Sequence, residues 1–237
     1  MALCSCAEQY SIAGSTMVPG FGGHTLYLGS TSGSRTLHYI DSCRVIHGEF
    51  SFCGSTDSVT FARVYMGGES VMPVVIESGT LTVSIDPTGE YVTGGPLNEK
   101  LYKFMERRRQ VENDLWRLDR QCLRAWQEAS GPEEARAQME KFRAKGERLI
   151  AEGERLDTRF VLENQHTVLG PGYFRMLCEQ YPAPVLTPQI EEIFNRAGAA
   201  FMNDPFVAYY ARSVGYERPA KSRKRRGGRT PKNIVGR

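Results

Sequence analysis

A chain of 237 residues, 41% hydrophobic, can bury one large or two modest cores, and no run approaches the roughly 18 apolar residues of a membrane-spanning helix. The formal charge of +3 conceals an asymmetry. From Ser213 onward nine basic residues face one acid, Glu217, which gives that tail +8 and leaves −5 for the rest.

The first nine residues are too short for a signal peptide, but Leu3-Cys4-Ser5-Cys6 has the form of a bacterial lipobox: an apolar residue, two small ones, then a Cys. If a charged and apolar leader precedes Met1, Cys6 becomes the lipid anchor. Segment 1–9 is accordingly set apart as a lipobox-like remnant.

From Tyr10 to Val92 the pattern is β. Runs begin at Tyr10, Thr25, Val59, Pro73, Thr80 and Glu90, punctuated by Gly67-Gly68, Ser78-Gly79 and the turn from Asp86 to Gly89. Short strands at this spacing predict an antiparallel β-sandwich over 10–95. The glycine-rich stretch from Val18 to Gly23 lacks the context of a phosphate loop and is taken as a hairpin connection. Tyr39 to Gly54 reads as a β-hairpin turning at His47-Gly48, with Val45 opposite Phe50 and Cys43 opposite Phe52. In that register Cys43, Val45, Phe50 and Phe52 share an apolar face. Arg44, Glu49, Ser51 and Cys53 share the polar one, so Cys43 and Cys53 are not placed to form a disulfide.

After Gly94-Gly95 the period changes. Leu97, Leu101, Phe104, Arg108, Val111, Leu115, Leu118, Cys122 and Ala125 step by four and three, with Arg108 the one polar member. Past Ser130-Gly131, Pro132 opens a second run through Ala135, Met139, Phe142, Gly146, Leu149, Gly153, Leu156 and Phe160. Two helices of about 30 residues form an antiparallel αα-hairpin. Shorter helices follow, capped by Thr167, Thr187 and Asp204. The expectation is an α+β chain: the β-sandwich, a helical domain over 96–212 with the long hairpin, and a basic disordered tail over 213–237.

Chemistry is sparse. The six cysteines (Cys4, Cys6, Cys43, Cys53, Cys122, Cys178) form no CxxC, and the four histidines (His24, His38, His47, His166) are scattered. No metal-ligand spacing and no cofactor motif is legible. The best nucleophile–base pair is Cys178 with His166, for which packing and capping are the simpler roles. No catalytic residue is assigned, and the chain is taken as non-enzymatic.

Several residues together resemble a bacterial family. Tyr10, Ile12 and Gly14 open it. Asp41-Ser42 precedes Gly48, Phe50, Phe52 and Gly54; then come Glu77 and Gly79, and Gly94 with Asn98 at the first long helix. Downstream, Arg159 to Asn164 followed by Thr167 and Gly170 is also similar, with Gln165 where the family usually has Pro. This resembles the domain of unknown function N-terminal to thioredoxin-like domains of the AhpC/TSA and thiol–disulfide interchange kind in lipoproteins. The resemblance, over about Tyr10 to Tyr210, implies a β-sandwich, a helical connector and lipoprotein export. The redox CxxC of the longer members lies in the thioredoxin-like domain, which is absent from this sequence, so no catalytic residue carries over.

The expected function is therefore a non-enzymatic cell-envelope lipoprotein, periplasmic or surface-facing. Its partners would be the membrane, through Cys6, and an unidentified protein or ligand. One alternative is an accessory of a thiol–disulfide redox system. Another is a cytoplasmic nucleic-acid binder acting through Lys221, Arg223, Lys224, Arg225, Arg226, Arg229 and Lys232, which would neutralise phosphates without reading sequence. Aromatic side chains are not interleaved with that cluster, and if the chain is exported the same charges suit anionic lipid or surface polysaccharide.

Overall fold

The computed structural model describes residues 8–31 and 36–218. Cys4, Cys6 and the basic residues from Lys221 to Lys232 lie outside them. Eight strands come first: β1 (Glu8–Thr16), β2 (Thr25–Ser30), β3 (His38–Arg44), β4 (Glu49–Thr56), β5 (Thr60–Met66), β6 (Glu69–Ile76), β7 (Gly79–Asp86) and β8 (Gly89–Thr93). Two long helices follow, α1 (Pro96–Glu128) and α2 (Pro132–Glu163), then α3 (Leu169–Cys178), α4 (Pro188–Arg196), α5 (Ala199–Met202) and α6 (Pro205–Ser213). The chain is α+β, with two four-stranded sheets preceding the helices.

The sheets run β4-β1-β7-β8 and β3-β2-β5-β6. Their inner faces interdigitate through Ile12, Leu26, Leu28, Phe52, Val64, Met72, Leu81 and Val83, all almost fully buried. One pairing departs from the antiparallel expectation: β1 and β7 run parallel, Ile12 beside Leu81. Periodicity reports which face a strand buries and is silent on the direction of its neighbour.

The 39–54 hairpin is also corrected. Its turn exists, with φ of 53° at His47 and 82° at Gly48, and Ile46 bridges Glu49. Beyond that bridge the strands part into different sheets, β3 pairing with β2 and β4 with β1. Backbone groups nearby are committed elsewhere. Val45 exchanges hydrogen bonds with Gly23 and His24 at 2.9 Å each, while the Gly48 carbonyl accepts from Thr16 N–H at 2.7 Å. Face assignments survive the change: Val45, Phe50 and Phe52 are buried, Cys43 is half-buried, and Arg44, Glu49, Ser51 and Cys53 are exposed. The glycine-rich stretch at 18–23 likewise joins two sheets rather than two paired strands, with Phe21 buried beneath it.

β1 and β4 meet rung by rung at the residues that carry the family resemblance. Tyr10 lies opposite Gly54, Ile12 opposite Phe52 and Gly14 opposite Phe50. A Cβ on Gly14 would fall 2.1 Å from the Phe50 ring, and one on Gly54 would fall 2.9 Å from the Tyr10 hydroxyl. Each aromatic ring therefore lies across the facing glycine, which explains both residue types at both positions.

The helices share one core with the sandwich. Leu101, Phe104, Phe160, Tyr173 and Phe174 join the same buried cluster as the strand residues. Phe104 stacks on Phe160 at 4.0 Å between ring centroids, and Tyr173 meets both edge-on. The 4-3 seam brings α1 and α2 together antiparallel. Its polar member is paired: Arg108 Nε lies 3.2 Å from both Asp157 carboxylate oxygens, and the Tyr173 hydroxyl donates to Asp157 at 2.8 Å. Thr187 and Asp204 cap α4 and α6 through backbone N–H groups, as their positions predict. Thr167 accepts from Leu169 N–H at the start of α3.

Candidate functional site

Asn98 and Glu77 fix how the helices meet the sheet. β6 is an edge strand, and an unpaired edge leaves backbone donors and acceptors open. Asn98 substitutes for a neighbouring strand there. Its carboxamide accepts from Val75 N–H at 2.9 Å and donates to Val75 C=O at 2.8 Å. The buried Glu77 carboxylate accepts from the Asn98 side chain at 2.7 Å and from the backbone N–H groups of Asn98 and Leu97. A carboxylate at a helix N-terminus satisfies orphan donors and complements the helix dipole. Gly95, at φ 81°, gives Glu77 room, since a Cβ there would lie 2.3 Å from its oxygen.

That docking leaves a cleft of about 600 Å³ where sandwich and helices meet. Its walls come from the ends of β2 and β5, the 165–168 turn, and helices α3, α5 and α6. Phe61, Tyr65 and Phe206 supply aromatic surface, with His166 and Asn203 among the polar residues. On one side Arg63 and Arg175 share a single carboxylate. Arg63 reaches Glu179 at 2.7 Å, and Arg175 Nε reaches its other oxygen at 2.8 Å. The Arg175 guanidinium also lies over the Phe206 ring, 4.5 Å from its centroid, and donates to Thr31 C=O. Both arginines are mostly buried, so two guanidinium groups stand beside the cleft in a low-dielectric wall, where charged contacts are strengthened. Asp204, also on the rim, is engaged by the N-terminus of α6. Burial raises the Tyr65 phenol above its ordinary range. A cleft of this size and lining suits a small ligand with an apolar body and an anionic group.

The Cys178–His166 pair does not assemble into a nucleophile. Cys178 is buried in the helical core, where burial pushes its thiol up to about 12. His166 is exposed at the cleft. A thiol so protonated is inert at neutral pH. Sequence reasoning missed the cleft itself, because Arg63, Arg175, Glu179 and Phe206 come from three distant stretches and none sits in a motif.

With this geometry in place, the family comparison bears on the docking residues. Residues 10–101 match the model of a domain of unknown function, DUF4369. The DUF4369 match runs from Tyr10 through the eight strands and ends within α1 at Leu101. It thus includes the Tyr10–Gly54, Gly14–Phe50 and Glu77–Asn98 relationships, all architectural. The long hairpin beyond Leu101, and the α3 and α6 walls of the cleft, lie outside the DUF4369 match. No curated protein matches the chain. Among the described residues no helix is long and apolar enough to cross a membrane.

Proposed function

We propose that this chain is a non-catalytic binding or accessory module of the cell envelope, held at a membrane through Cys6 and offering its interdomain cleft to a ligand. The observation that carries the binding reading is the cleft: aromatic walls from the sandwich and α6 beside two arginines that share one carboxylate. The lipobox form of Leu3 to Cys6 supports the anchor. The resemblance to domains that precede thioredoxin-like modules supports a thiol–disulfide redox system as the setting, with this chain as an accessory to it. The ligand class that fits is an aromatic or aliphatic group bearing a carboxylate, such as a peptide C-terminus.

Calorimetric titration with short peptides ending in Phe or Leu tests the reading. Free-acid peptides are expected to bind, their C-terminal amides to bind at least about tenfold more weakly, since a charged hydrogen bond is worth more than about 1.4 kcal/mol. Equal affinity for acid and amide would remove the role given to the arginines. Feeding cells a labelled fatty acid tests the anchor separately, and label that persists after Cys6→Ser would refute it.

A further inference from the structure

The α1–α2 hairpin leaves the body of the protein as an arm. Between Val111 on α1 and Gly153 on α2 no residue is fully buried. From Glu112 to Glu128 the arm extends about 25 Å at 1.5 Å per residue. Its seam holds the two helices together, but its two broad faces differ.

At 100° per residue, Trp116, Asp119, Leu123 and Trp126 lie to one side of the α1 seam, and Asp114, Arg117, Gln121 and Arg124 to the other. On α2 the corresponding sides carry Arg136, Met139, Glu140, Arg143, Glu147 and Ile150, against Glu134, Gln138, Lys141 and Lys145. The two apolar sides form one face: a groove of about 790 Å³ is lined by Asp119, Cys122 and Trp126 from α1 together with Met139, Arg143 and Ile150 from α2. Trp116 and Trp126 are 60% and 59% exposed, which is costly for the largest apolar side chains.

We propose that a second copy of this chain covers that face, two arms pairing into a four-helix bundle with both bodies at the same end. The level of Asp119 against Arg143 on this face, together with its area, favours this partner. Leu118 packs at the level of Gly146, and Cys122 Sγ lies 3.3 Å from Met139 Sδ. Asp119 is therefore level with Arg143, and Trp126 with Arg136. Rotating a second copy about an axis along the arm lays its α2 on the first copy's α1. Asp119 then meets the other Arg143, and Trp126 meets the other Arg136, each twice by symmetry. Within one copy Asp119 makes no ion pair among the described residues, whereas Arg143 holds only exposed, weak pairs with Glu140 and Glu147 along its own helix. Two helices about 10 Å wide over this length bury about 500 Å² per copy, or about 1,000 Å² in all, the threshold for a specific interface.

Sedimentation of the full chain at about 100 µM, well above the dissociation constant of a micromolar dimer, tests this. A dimer mass is expected. Asp119→Lys and Arg143→Glu should each weaken it at least about tenfold, as like charges now face one another. The double variant should restore it, because every pair is again opposite in sign. Unchanged far-ultraviolet circular dichroism shows that the variants fold. A wild-type monomer would overturn the proposal, as would single variants that dimerise normally. Wild-type monomers that bind phosphatidylglycerol vesicles through Trp126 would assign the face to lipid instead.

Discussion

The side chain of Asn98 pairs with both backbone groups of Val75, doing for the β6 edge what another strand would do. Three buried hydrogen bonds, including the one to Glu77, depend on that carboxamide. Asn98→Leu leaves a buried N–H, a buried C=O and a carboxylate short of partners. Each loss costs about 1 kcal/mol or more, so urea unfolding should show a loss of about 3 kcal/mol. A loss below about 1 kcal/mol would mean that water replaces the carboxamide.

Arg108, Asp157 and Tyr173 form the polar centre of the hairpin base. Asp157→Ala should cost about 3 kcal/mol, the lower end for breaking a buried pair, because Arg108 is a quarter exposed. The pH dependence has a definite sign. Burial raises the Asp157 carboxyl above its ordinary range, opposed by Arg108, so the folded chain holds this proton more tightly than the unfolded chain does. The stability contributed by Asp157 therefore falls as pH rises from about 4 through the raised value. Wild type should exceed Asp157→Asn by more at pH 4 than at pH 7 in paired urea titrations. A gap that widens toward neutrality would reverse the assignment of burial as the larger effect.

Thiol reactivity should divide sharply. Cys53 is exposed, and Cys178 is buried with its thiol pushed up to about 12. At pH 7.5 in native buffer, iodoacetamide should modify Cys53 and leave Cys178 untouched by mass spectrometry until the chain is unfolded. Rapid native labelling of Cys178 would reopen a nucleophilic role.

The β1–β4 rungs predict two graded costs. Gly54→Ala brings a methyl to 2.9 Å from the Tyr10 hydroxyl, whereas Gly14→Ala drives one into the Phe50 ring at 2.1 Å. Overpacking of this kind costs about 1–3 kcal/mol. Gly14→Ala should lower the melting temperature more than Gly54→Ala does. The reverse order would imply that Phe50 swings aside freely.

Local structure was largely legible in the sequence, and partnering was not. The switch from period two to 4-3 stepping at Gly94 located the first helix, and Pro132 the second. Arg108 stood out as the polar member of an apolar seam, but nothing in the sequence pointed to Asp157, 49 residues away. The turn at His47-Gly48 was read correctly, yet the strands leaving it join different sheets, because Val45 and Gly48 bond to different neighbours. Glu77 and Asn98 were visible as motif residues, but their mutual contact depends on how α1 lies against β6. The cleft was invisible for the same reason. Its arginines gain meaning only when β5 and α3 come together around Glu179.

The cleft between sandwich and helices is proposed to bind an apolar carboxylate. Backbone chemical-shift mapping of the full chain during titration with N-acetyl-phenylalanine tests it most directly. Saturable shifts concentrated at Phe61, Arg63, Arg175 and Phe206 are expected, which Arg175→Gln abolishes while the spectrum remains that of a folded chain. Shifts centred elsewhere, or shifts that survive Arg175→Gln unchanged, would contradict it.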